Sequence, residues 1–184
     1  MKSSFQSLVD VIRVLHSLDI PYMLVGAFSS NAYSYPRATK DADIVIDYRD
    51  GVLTQICGAL GEDFQLDAQA SFEIFTGTLR NILTYKPTKF EIELFRVGLD
   101  PHHIERFTRR RKLLLPELQI EAAIPTAEDV VIQKLRWQRD KDIADARVVL
   151  AVQAQSLNWD YINKWTEIHQ TSELLDRLRR ETNV

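Results

Sequence analysis

Apolar residues recur at helical spacing in the first stretch of the chain. Phe5, Leu8, Val9, Ile12, Leu15 and Leu18 share one face, which predicts an opening helix over 3–18. Pro21 breaks it. The next run, Tyr22-Met23-Leu24-Val25, is apolar throughout and short, as a buried strand is, and Gly26 ends it. Ala27 to Tyr33 read as a helix that starts directly after the glycine. Tyr35 to Lys40 read as a loop, because Pro36 turns its neighbour away from helix. Ala42 to Asp47 form a second strand centred on Ile44, Val45 and Ile46. A helix is expected over 50–60, and strands over 72–76 and 79–85 with a turn at Gly77. Phe90 to Phe95 alternate apolar and acidic residues, which predicts a strand with one polar face. Asp100-Pro101 opens a helix with proline in its first turn. Residues 113–115 and 119–124 are β-like. Thr126 to Asp129 form a variant capping box, with Asp in place of Glu or Gln, ahead of a helix through Trp137. Helices near 142–155, 159–169 and 172–181 complete the chain.

Strands alternate with helices early and helices alone close the chain, which argues for an α+β domain with a short helical tail. The expected division is a core over 1–125 and a helical segment over 126–184 packed on it as one compact unit. A length of 184 residues suits that size, and a hydrophobic fraction of 45% supports a core. A net charge of −3 means that a polyanionic partner would have to meet a local basic patch. The single cysteine, Cys57, excludes a disulfide framework and a cysteine-based zinc site, and reads as a small core hydrophobe. No apolar run approaches the ~20 residues that span a bilayer. Asp10 and His16 interrupt the N-terminal apolar pattern, so it reads as an amphipathic helix and not a signal peptide. The expectation is a cytoplasmic protein with no membrane partner.

Three pieces carry candidate chemistry. In the first, a strand runs through Val25 into Gly26 and a helix. Glycine there lets backbone approach a ligand closely, and the free N–H groups of the helix start suit a phosphate. Ser29 and Ser30 offer hydroxyls nearby. Alone, the piece also fits an ordinary turn. The second piece is Asp41-Ala42-Asp43. Residues i and i+2 of a strand face the same way, so two carboxylates share a face and repel unless a cation lies between them. Oxygen ligands of this kind suit Mg²⁺. Taken alone, the pair equally fits solvated surface acids. The third piece is Glu91-Ile92-Glu93, which offers a further carboxylate as metal ligand or base, or else a polar strand face in water.

Together the pieces are similar to the DNA polymerase beta superfamily of nucleotidyltransferases. That pattern is a hydrophobic residue, Gly, and Gly or Ser, then about a dozen residues and Asp-x-Asp on a strand, with a third acid on a later strand. Val25-Gly26-Ala27 and Asp41-Ala42-Asp43-Ile44 stand in the first two places. Tyr35 to Asp41, Thr126 to Leu135 and Lys141 to Asp145 resemble the small bacterial members, the abortive-infection (AbiEii-like) toxin nucleotidyltransferases. The resemblance covers roughly residues 20–155. It implies a mixed sheet flanked by helices, and Mg²⁺ or Mn²⁺ held by Asp41, Asp43 and Glu93. Glu93 fits the third place better than Glu91, because Ile92-Glu93-Leu94-Phe95 matches the hydrophobic-acid-hydrophobic strand. It also implies a triphosphate cradled by Gly26, Ala27, Ser29 and Ser30, with Arg37 and Lys134 balancing charge. The implied activity moves a nucleoside monophosphate from an NTP to an acceptor hydroxyl on RNA, protein or a small molecule. An antitoxin is an implied partner. Two departures stand out: Ala27 replaces Gly or Ser, and Glu93 replaces the usual Asp. They keep open a catalytically silent module that binds nucleotide or a partner protein.

Other features carry less. Arg106, Arg109, Arg110, Arg111 and Lys112 form a basic run that fits either phosphate contacts or a solvated helix end. His102 and His103 are adjacent on a helix and make a poor metal pair. Trp137, Trp159 and Trp165 are expected to pack the helical tail. That tail is short, which leaves little room for a dedicated antibiotic pocket.

Overall fold

The computed structural model describes residues 2–47, 51–73 and 78–184. Its elements in chain order are α1 (Ser4–Ser17), β1 (Tyr22–Val25), α2 (Gly26–Tyr33), β2 (Asp41–Ile46), α3 (Val52–Leu60), β3 (Phe64–Leu66), β4 (Ser71–Glu73), β5 (Thr78–Tyr85) and β6 (Phe90–Arg96). They continue with α4 (Pro101–Arg109), β7 (Arg111–Leu115), β8 (Ile120–Ile124), α5 (Ala127–Trp137), α6 (Asp140–Gln153), α7 (Trp159–Ile168) and α8 (Ser172–Thr182).

The main sheet is mixed, in the order β1-β2-β6-β5-β3, with β4 also pairing to β5. Among the described residues only β2 and β6 run parallel; the other pairs are antiparallel. β7 and β8 form a separate hairpin. The Tyr22 hydroxyl accepts a bond from the Ala123 amide and ties that hairpin to β1. This is the mixed sheet flanked by helices that the resemblance implied.

Most elements lie where the apolar pattern put them. β2 starts one residue early, at Asp41, so both aspartates belong to the strand. The turn expected at Gly77 lies outside the described residues. β3 is not predicted because three residues at a sheet edge, half-buried at Phe64 and Leu66 and exposed at Gln65, are too few to show a period. α6 opens at Asp140 and brings Lys141 into its first turn.

Among the described residues two large apolar clusters, with a smaller one around Met23, Val25, Val45 and Phe107, hold the chain together. One joins α1 and α2 to the sheet through Leu8, Ile12, Phe28, Ile44, Ile92 and their neighbours. The other fills the space between α5, α6, α7 and α8 around Val131, Leu135, Val149, Ile162 and Leu178. Tyr33 touches both, and its hydroxyl donates to the Pro125 carbonyl. Among the described residues, no helix is long and apolar enough to cross a membrane.

The helix starts read from sequence are built as expected. Asp100 accepts from the His103 amide with Pro101 in the first turn, and Thr126 caps α5. The carboxylate of the variant capping box takes the Thr126 hydroxyl and joins a buried network. Asp129 is fully buried and accepts from Thr126 Oγ1 at 2.9 Å and Tyr161 Oη at 2.7 Å, with His102 Nε2 at 3.2 Å and Arg109 Nε at 3.4 Å. Burial alone would raise its pKa, but the bonds from His102, Tyr161 and Thr126 outweigh it and hold the carboxyl below the usual range. Removing one partner from such a network strands the others. Asp129→Ala is therefore expected to cost ~3–5 kcal/mol in urea unfolding, against ~1 kcal/mol for Tyr161→Phe, which deletes a single bond.

Candidate functional site

The site begins with a close approach. Val25 ends β1 in register with Asp43 of β2. The chain then turns at Gly26, with φ +62°, straight into α2. A Cβ at Gly26 would stand 1.9 Å from Asp43 Oδ2, so only glycine permits the contact. The unpaired amides that open a helix are thereby laid beside a carboxylate. β6 runs parallel to β2 and sets Glu93 opposite Asp43 and Glu91 opposite Asp41.

These residues line a cavity of about 210 Å³. Gly26, Ala27, Asp41, Asp43 and Glu93 form its acidic floor and backbone wall. Arg37, Arg80, Lys134, Arg139 and Lys141 form a basic rim, with Phe95 and Trp137 as apolar faces. Arg37, Arg80, Lys134 and Arg139 are each held by a carboxylate. Buried Lys134 bonds to Asp142 Oδ1 and Asp145 Oδ2, both at 2.9 Å. Arg37 clasps Asp145 through Nε at 2.7 Å and Nη2 at 2.9 Å. Thr39 Oγ1 donates to Asp41 Oδ1 at 2.9 Å. Arg80 Nη1 lies 3.0 and 3.2 Å from the two Glu93 oxygens, and its Nε donates to Ser71 Oγ.

Asp43 is the electrostatic centre. Burial, followed by the charges of Glu93 and Asp41, pushes its carboxyl up to about 7; Lys134 and Lys141 pull the other way. A site that resists a third negative charge is one that a cation relieves. Asp41 and Asp43 therefore fit a divalent ion with oxygen ligands. Glu93 fits less simply, since its carboxylate is already neutralised by Arg80. Among the described residues, no group of three or more His, Cys, Asp or Glu side chains is arranged to hold a metal ion.

Seven of the nine residues expected from sequence thus line one cavity: Gly26, Ala27, Arg37, Asp41, Asp43, Glu93 and Lys134. Ser29 and Ser30 do not. Both are buried, and both hydroxyls donate to the Gly26 carbonyl, at 2.9 and 3.2 Å, so their bonding is spent inside α2. Arg80, Arg139, Lys141 and Trp137 are additions. Arg80 arrives through strand pairing, which leaves no local signal. Trp137, expected in the packing of the tail, instead stands at the cavity wall. The basic run of α4 and β7 does not form one patch. Arg106 is buried, Arg109 lies over the Tyr161 ring and Arg110 over Phe107, while Arg111 and Lys112 are exposed. His102 and His103 are buried, as adjacent residues unsuited to a shared metal.

The fold is that of the nucleotidyltransferases. An antigenic nucleotidyltransferase-like protein from Paracoccidioides brasiliensis is similar over 100% of this chain and 92% of its own, with a TM-score of 0.67 and 19% identity. ANT(2″)-Ia in complex with adenylyl-2″-tobramycin is similar over 94% of this chain and 99% of its own, with a TM-score of 0.63 and 8% identity. A putative nucleotidyltransferase from H. pylori is similar over 96% of this chain and 78% of its own, with a TM-score of 0.57 and 16% identity. At these identities the likeness is one of fold. No protein-family model matches the sequence, and no curated protein matches it significantly.

The raised Asp43 carboxyl has a consequence for stability. Its folded pKa of about 7 lies above the ordinary 3.8, so the native state binds this proton more tightly than the unfolded chain. The stabilisation is full below about pH 4 and is lost as pH rises towards 7. Without divalent ions, Asp43→Asn is expected to melt ~3–8 °C above the wild type at pH 8, and the gap is expected to close near pH 4. Thermal unfolding across pH in EDTA measures it.

Proposed function

We propose that the chain transfers a nucleoside monophosphate from an NTP to an acceptor hydroxyl, with release of pyrophosphate and with a divalent cation held by Asp41 and Asp43. The observation that carries this reading is the Asp43 carboxylate, wedged beneath Gly26 at the start of α2, opposite Glu93 and ringed by fixed cations. A bound Mg²⁺ would neutralise phosphate oxygens and orient the reacting group. The amides of Gly26 and Ala27 would receive phosphate at the helix start. Lys134 and Arg37, braced by Asp142 and Asp145, offer positive charge at no cost of reordering. Lys141, exposed at the rim, would meet the outer phosphates. Glu93 would accept the acceptor's proton once Arg80 turned from it to a phosphate oxygen.

The acceptor is proposed by class only. The sequence resemblance to AbiEii-like proteins supports RNA or protein, with an antitoxin as partner. ANT(2″)-Ia, matched over nearly its whole length, is seen with an adenylylated small molecule. A tail of this length is therefore no obstacle to a small acceptor.

One observation favours a second reading. The Arg80–Glu93 pair occupies the third carboxylate, and Ala27 replaces the usual Gly or Ser. A module with that pair permanently closed would bind nucleotide without turning it over.

Incubation with each α-labelled NTP, Mg²⁺ or Mn²⁺, and cellular RNA, protein or small-molecule pools decides between them. Label is expected in one acceptor class and is expected to fall more than ~100-fold in Asp43→Asn, beyond what loss of an outer-shell partner costs. Bound nucleotide with no label in any pool would favour the silent module. Full activity in Asp43→Asn would overturn the metal assignment.

A further inference from the structure

A second, smaller cavity adjoins the first and shares Phe95 and Trp137 with it. Val25, Val45, Thr78 and Arg96 from the sheet and His103 and Arg106 from α4 form most of the remaining wall, and Thr78 and Arg96 are engaged with partners of their own. Its free volume is about 20 Å³, more than the ~10–15 Å³ that one water requires.

Arg106 is the anomaly. It is 5% exposed. It makes no hydrogen bond or ion pair with any described residue, and its Nε is buried without a partner. The carboxylates whose charge it feels most, Asp129 and Asp100, are committed to other donors. Asp129 serves His102, Tyr161, Thr126 and Arg109; Asp100 serves Arg136 and the His103 amide. Proteins bury a guanidinium beside a carboxylate or another anion, because an uncompensated buried charge is strongly destabilising. Two more wall residues repeat the deficit: Trp137 Nε1 and His103 Nε2 are both buried and unpartnered. Burial and the neighbouring Arg106 press His103 down to about 3, so it adds no competing charge at neutral pH. A cation and an unsatisfied indole donor therefore belong to the wall of a mostly apolar space with room for at least one water, and among the described residues no acid lines it.

We propose that this cavity binds a small monovalent anionic group, held by Arg106. The group is either a free ion, such as a halide or formate, or the carboxylate end of an acceptor reaching in past Phe95 and Trp137. That second source rests on the transferase reading; the anion site itself does not.

Thermal unfolding in increasing sodium chloride or formate, with sodium isethionate, a bulky anion without a carboxylate, holding ionic strength constant, tests the site. The wild-type midpoint is expected to rise by a few degrees and saturate, and Arg106→Met is expected to show no such response. Bromide supplies a readout that needs no Arg106 variant. Its quenching of tryptophan fluorescence is expected to contain a saturable part that Trp137→Phe removes. Chloride and formate acting no differently from isethionate, together with purely linear bromide quenching, would overturn the proposal. So would an Arg106→Met protein more stable than wild type even at the highest chloride, since the charge would then be buried for no ligand. Transfer kinetics separate the two sources. Chloride raising the KM for the acceptor marks an acceptor carboxylate, and an unchanged KM marks a free ion. Failure to detect transfer leaves the melting and quenching results standing.

Discussion

The site depends on one close contact, the absence of a side chain at Gly26 against the Asp43 carboxylate. Antiparallel pairing of Val25 with Asp43 brings the two strand ends level. The positive φ at Gly26 then folds the chain into α2 without a linker, so the helix start, with its unpaired amides, lies over the carboxylate. Any other residue would collide with Asp43 and would also strain a backbone conformation that L residues rarely adopt. A strand end, a helix start and an acid thus converge within a few ångströms. The parallel β2–β6 pairing adds Glu93 from below. Burial first, and then the acids that the sheet crowds beside it, make Asp43 resist ionisation.

The positive side of the cavity comes from a different part of the chain. α5 supplies Lys134, the turn that follows supplies Arg139, and α6 supplies Lys141 together with the two aspartates that hold the others. Asp145 bonds both Lys134 and Arg37, so one carboxylate links a tail helix to the loop that precedes Asp41. The C-terminal helices are therefore a wall of the cavity as well as a packing surface. Their own core is apolar and continuous, and the buried Asp129 network fixes the start of α5, the helix that carries Lys134.

Much of this was legible in the chain because it is local. Asp41 and Asp43 share a face by strand geometry alone, and Gly26 sits where an apolar run stops. Glu93 was preferred to Glu91 on its flanking residues, and register places it directly across from Asp43. What was not legible depends on contacts distant in sequence. Arg80 reaches Glu93 only because β5 lies antiparallel to β6. Ser29 and Ser30 looked available as donors, yet a helical backbone offers them the Gly26 carbonyl first. The arginine run from 106 to 112 reads as one patch along the sequence. A helix end and a strand start send its members to different neighbours, and one of them, Arg106, into the interior.

The account stands or falls on whether the Asp41–Asp43 pair couples a divalent ion to nucleotide. Calorimetric titration of a non-hydrolysable NTP analogue, with Mg²⁺ and again in EDTA, into wild type and Asp43→Asn measures this directly. The account predicts that Mg²⁺ tightens binding to the wild type by at least ~10-fold and that Asp43→Asn loses that gain. Equal affinity with and without Mg²⁺ in wild type, or an undiminished Mg²⁺ effect in Asp43→Asn, would contradict it.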